Sequence, residues 1–207
     1  MLSQATNDIR PVDALAYYQA VADYLGTETG NAKDDAVRRQ RRYPILVEVS
    51  NRLIRADRWD EAALTIESAR ALADECATLQ PVPTNVLICL QTLFWPEPQR
   101  WNTDLNLALA RKLIATAPRD ASYWNTLASV HVAAEQWDDA IQLVQHAMQL
   151  RETPSTYDCL LMVVCHRKLG HSEEAQTWLE RLRTSSPQEF VDDPVIQRFL
   201  RSDVAVE

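Results

Sequence analysis

Cys159, Cys165, His166 and His171 fall within thirteen residues of one another, and thiolate and imidazole are the side chains that hold zinc. Spacing argues against their acting together. At about 100° per residue, Cys159 and His166 share one face of a helix while Cys165 points away from His166, and His171 lies past the following turn. The paired C-x-x-C ligands of a tetrahedral site occur nowhere in the chain. Four cysteines in all, Cys76, Cys89, Cys159 and Cys165, form no compact framework, so reduced, buried thiols are expected. No metal and no cofactor are expected.

Other chemistry finds little material. Nucleophilic catalysis needs a nucleophile, a base and an orienting group, and no G-x-S-x-G elbow is present. The carboxylate pairs Asp60 with Glu61, Asp138 with Asp139 and Glu173 with Glu174 recur at matching places. At the first turn of a helix such pairs favour the helix dipole and cap free amides, which is a structural task. The expectation is a protein that is not an enzyme.

The run VRRQRR supplies Arg38, Arg39, Arg41 and Arg42, the chain's one positive cluster. It reads as a solvated helix face, or as a docking patch for an acidic partner or phosphate. Net charge is -8, and that field repels nucleic acid and anionic membrane surfaces. The opening MLSQATNDIRPVDALAYY has neither the basic flank nor the apolar run of a signal peptide, and no stretch approaches the ~18 consecutive apolar residues of a membrane span. A cytoplasmic chain is expected.

The elements that would position these residues are helices. Three glycines in 207 residues leave almost nothing for tight hairpins or phosphate-cradling loops. Self-similarity then organises the chain. RWDEA (58 to 62), QWDDA (136 to 140) and HSEEA (171 to 175) share two acids and an alanine, each followed four residues on by an apolar residue, Ile66, Val144 or Leu179. In the unit from Ala121 to Pro154, Trp124, Leu127 and Ala128 precede Ala140, Val144 and Ala147 at spacings that place small residues where two antiparallel helices approach and bulky ones in their seam. A further unit follows 35 residues later, with Cys159, Met162, Val163, His166, Gly170, Ala175 and Leu179 in matching places; Gly170 reads as a helix stop and Ser172 as an N-cap.

These spacings resemble the tetratricopeptide signature. The resemblance implies an all-α fold of antiparallel helix-pair repeats, stacked as a short right-handed α-solenoid. Units about 87–118, 121–154 and 156–187, with a capping helix at 192–203, make up residues 81–207. Residues 1–80 carry N-terminal helices with one divergent repeat, and the two parts form one continuous array. Ahead of the first repeat, PVDALAYYQAVADYLG reads as a helix ending at Gly26, and residues 31 to 43 as another ending near Pro44. In DDPVIQRFLRSD, Asp192 or Asp193 is the expected N-cap and Val195, Ile196 and Phe199 the apolar stripe.

A closer resemblance covers about residues 104 to 205. Carried chiefly by PRDASYWNTL, it is to the C-terminal repeats of large multi-domain bacterial serine/threonine kinases and related regulators. No glycine-rich loop, catalytic loop or DFG is present, so phosphoryl transfer is not implied. In a tetratricopeptide array the first helices line a concave groove. Here that geometry implies Ile88, Gln91 and Trp95, then Ser122, Asn125, Ser129 and Val132, then Tyr157, Leu160, Val164, Arg167 and Lys168. The function implied is a protein–protein interaction scaffold that binds a protein or peptide segment in that groove. The alternative is a regulatory or substrate-docking module of a bacterial serine/threonine kinase signalling system.

Overall fold

The computed structural model describes residues 11–75, Ile88 and residues 103–202. Among the described residues there are ten helices and no strand. The chain divides into two compact units, Met1–Leu90 and Gln91–Glu207. None of the described helices is long and apolar enough to cross a membrane.

In the first unit, α1 (Pro11–Gly26) packs on α2 (Ala32–Arg55) and α2 on α3 (Trp59–Glu75). Pro11 starts α1, where a missing N–H costs nothing. Asn31 caps α2, its side chain accepting from the amides of Lys33 and Asp34. Contrary to expectation, α2 does not stop near Pro44 but runs through it to Arg55. A proline inside a helix costs roughly 3 kcal/mol. The same helix buries Tyr43, Leu46, Val47, Val49, Leu53 and Ile54, and at about 1.5–3 kcal/mol for each large apolar side chain that burial outweighs the loss. Ala62, Ala63, Ile66 and Ala69 of α3 are fully buried too, the three alanines letting α3 lie close to α2.

In the second unit the helices are α4 (Thr103–Thr116), α5 (Ala121–Ala133), α6 (Trp137–Gln149), α7 (Thr156–Lys168), α8 (Ser172–Ser185), α9 (Pro187–Asp192) and α10 (Pro194–Ser202). Each packs on the next from α4 to α10, and α5 also touches α7. Ala128, Ala140, Val144 and Ala147 are fully buried and Leu127 nearly so, as the small-and-bulky pattern requires. Trp124 departs from it: half-exposed, it stands at the edge of the seam, donating Nε1 to the Pro118 carbonyl at 2.8 Å and setting its ring edge-on to His146.

The two-helix turns repeat as well. Asp57, Glu135 and Gly170, each just past the end of a helix, all have left-handed backbone, with φ of 59°, 59° and 76°. After Gly170 the N-cap of α8 is His171, not Ser172, and it makes no side-chain cap bond. The acid pairs stand in the first turns of α3, α6 and α8. Asp193 caps α10 by accepting from the amides of Val195 and Ile196, and Val195, Ile196 and Phe199 are buried.

Candidate functional site

The residues assigned to the groove separate sharply by burial. On α5, Ser122 serves the helix start, its amide and hydroxyl both donating to Asp120 Oδ1, and Ser129 Oγ donates back to the Thr126 carbonyl at 2.8 Å. Asn125, half-buried, reaches across to α7. Val132, at 2% exposure, is interior. On α7, Leu160 and Val164 are 2% and 1% exposed, so the apolar floor expected from the repeat pattern is closed to an incoming chain. The reason is that α7 is covered by α5, α6 and α8 at once, and the whole run from Asp158 to Cys165 is buried. Tyr157 remains 43% exposed, with its hydroxyl 3.4 Å from Asp193 Oδ2. Arg167 and Lys168, half-exposed, occupy the last turn of α7, where a helix dipole favours cations. Ile88 is helical, fully buried and part of the first unit. Gln91 and Trp95 lie outside the described residues.

At the centre of this face is a residue that the repeat pattern did not single out. Asp158 is fully buried, and its carboxylate receives three donors: Asn125 Nδ2 at 2.6 Å on Oδ1, and Arg151 Nη1 at 2.8 Å and the Ser155 amide at 2.7 Å on Oδ2. Ser155 Oγ in turn accepts from the Asp158 amide at 3.1 Å, which completes a capping box. Buried charge persists where it is paired and fully hydrogen-bonded. The S-x-x-D spacing was the signal that could have found it. Asn125 is thereby engaged inside the fold and is not presented as a clamp for a ligand carboxylate.

The arginine cluster is partly turned inward. Arg38 Nη1 donates to the Tyr24 and Thr27 carbonyls and to Thr27 Oγ1, and its guanidinium lies 4.8 Å over the Tyr24 ring. Arg42 Nε donates to the Ala22 carbonyl at 2.9 Å. Both satisfy carbonyls at the C-terminal end of α1. Arg39 and Arg41 are exposed. A cavity of about 260 Å³ opens here, lined by Gly26, Glu28, Asp35, Arg38, Arg39 and Arg42 among others. Thr29 holds the Asp35 carboxyl below the usual carboxylate range through its backbone and side-chain donors, with Arg39 and Arg38 adding to the effect. The two acids offset part of the positive charge of the cleft.

Of the four clustered thiol and imidazole groups, the fold separates the cysteines from the histidines. Cys159 and Cys165 are buried thiols outside any disulfide, and burial pushes the Cys159 thiol up, against a smaller opposing influence of Arg181, leaving a poor nucleophile. His166 and His171 come together across the α7–α8 turn, Nδ1 to Nδ1 at 3.4 Å. Burial lowers the His166 pKa, His171 lowers it further, and Glu174 opposes. One unit earlier, burial likewise lowers His131, whose Nδ1 is 3.9 Å from Asp139 Oδ2. Among the described residues, no group of three or more His, Cys, Asp or Glu side chains is arranged to hold a metal ion.

No protein-family model matches the chain, and no curated protein matches it.

Proposed function

We propose that this chain is a non-catalytic protein–protein interaction module that holds a polypeptide segment against the α5 and α7 face of its second unit. The observation that carries this reading is the recurrence of one helix-pair design 35 residues apart. The pairs α5–α6 and α7–α8 share the left-handed turn at Glu135 and Gly170 and the buried alanine at Ala140 and Ala175. Stacked helix pairs of this kind present a row of side chains from successive first helices. Here the accessible part of that row is polar and cationic: Ser122, Ser129 and Tyr157 with Arg167 and Lys168 at one end. A segment that fits it has hydrogen-bonding groups and an acidic end, with Tyr157 as the aromatic contact.

The run PRDASYWNTL is accounted for by the fold itself. Asp120 caps α5 and Trp124 bonds the Pro118 carbonyl, so the run supports the helix-pair design and adds nothing toward a kinase-linked role.

Selection of peptides from a displayed random library, followed by fluorescence anisotropy, tests the proposal. Selected peptides are expected to be acidic and to lose at least about tenfold in affinity, some 1.4 kcal/mol, against Arg167→Glu/Lys168→Glu. If peptides bind that variant, and Tyr157→Ala, as tightly as the unaltered chain, this face is not the binding surface.

A further inference from the structure

His166 lies in the last turn of α7 and His171 is the N-cap of α8, and the turn between them is fixed by the His171 amide donating to the His166 carbonyl at 2.8 Å and by the left-handed Gly170. Their Nδ1 atoms are 3.4 Å apart and the ring planes are tilted by 45°. That separation is wide for an N–H···N hydrogen bond, which prefers about 2.9–3.0 Å. It matches the edge of a tetrahedron around zinc, since two Zn–N bonds of about 2.0–2.1 Å at the tetrahedral angle put their nitrogens about 3.3–3.4 Å apart. His171 is exposed, so its imidazole can rotate toward a point shared with His166 Nδ1.

We propose that His166 and His171 form a two-imidazole binding site for a divalent zinc ion, with water in the remaining coordination positions. Glu174 stands in the first turn of α8, three residues after His171, and is close enough to influence His166 electrostatically. Its exposed carboxylate is not among the ligands in the observed rotamer and would join the two imidazoles only on a change of rotamer. The preceding unit is an internal comparison. The residues 35 positions earlier are His131, Gln136 and Asp139, where a glutamine replaces the second imidazole. One zinc per chain is therefore expected at this position, and none at its counterpart.

Calorimetric titration of the intact chain with zinc chloride, repeated with His171→Gln and Glu174→Gln, tests the site. Gln is what the matching turn already carries, so the first variant is expected to keep its helical circular dichroism. Zinc should bind at one equivalent, at least about tenfold more weakly to His171→Gln. Nitrogen NMR of the unaltered protein should show zinc-induced shifts at His166 and His171, with His131 and His146 unmoved, a readout that does not depend on any variant. Cobalt(II) substitution separates this site from the cysteines, because thiolate ligation produces a charge-transfer band and imidazole ligation does not. Absence of binding, equal affinity in His171→Gln, unmoved His166 and His171 resonances, or a thiolate band would each overturn the assignment.

Discussion

Asn125 and Asp158, 33 residues apart, meet in a 2.6 Å hydrogen bond that ties α5 to α7, one helix pair to the next. The same carboxylate holds Arg151 and the start of α7. Asn125→Ala removes one donor to a buried charge and should cost about 1.5–3 kcal/mol. Asp158→Ala leaves Arg151 and Asn125 facing each other without their acceptor and should cost more, about 3–5 kcal/mol. Urea unfolding midpoints give both values, and equal costs would mean that the carboxylate is not the centre of the network.

Close approach of α5 and α6 depends on alanines with no exposed surface. Ala140→Leu inserts a branched side chain where Ala128 and Ala147 leave no room, and about 1–3 kcal/mol of destabilisation is expected. Ala108, exposed on α4, is the control: Ala108→Leu should change stability by no more than about 0.5 kcal/mol. Thermal denaturation of the two variants side by side makes the comparison.

The His131 pKa lies below its ordinary value near 6.5 because burial penalises the imidazolium, with Asp139 pulling weakly the other way. The unfolded chain therefore binds more protons than the folded one just below that value, and stability rises with pH through this window. The contribution is complete above about pH 6.5 and is lost as pH falls through the lower folded value. His131→Gln should flatten this part of the stability profile, read as the difference between urea midpoints at pH 7.5 and pH 5.5 for the two proteins.

Glu135 and Gly170 occupy the same turn with the same left-handed backbone. For a residue with a Cβ that conformation costs roughly 1–2 kcal/mol, part of which glycine gives back through the entropy of the unfolded chain. Glu135→Gly should stabilise by up to about 1 kcal/mol, and Gly170→Ala should destabilise by about 1 kcal/mol. Opposite shifts in melting temperature are the expected pattern, and shifts of the same sign would contradict it.

Where local signals were strong, the sequence was informative. Pro11 and Gly26 bracket α1, the acid pairs open α3, α6 and α8, and Asp193 caps α10. Pro44 misled because its local penalty is smaller than the burial of the residues around it, which only the packing of α2 on α1 and α3 reveals. The short α9 is not anticipated either; it begins at Pro187, where the last repeat unit is expected to end. Asp158 was hidden among seven apolar or sulfur-bearing neighbours, and the side chains that bond its carboxylate lie 7 and 33 residues away. The groove positions failed at Val132, Leu160 and Val164 for a related reason. Repeat spacing assigns a face to each residue, but it does not say whether the neighbouring helices leave that face open.

The enclosure of α7 from Asp158 to Cys165 has a consequence for how the chain is made. During synthesis α7 emerges before α8, one of the helices that cover it, and until then Leu161, Met162 and Val163 have fewer partners. An apolar segment left waiting in this way is a site for holdase chaperones and for off-pathway association. Once the cover is in place, the same segment should be among the last to exchange its amide hydrogens. A stalled chain ending near residue 170 would then be sticky, and the protein released intact would not.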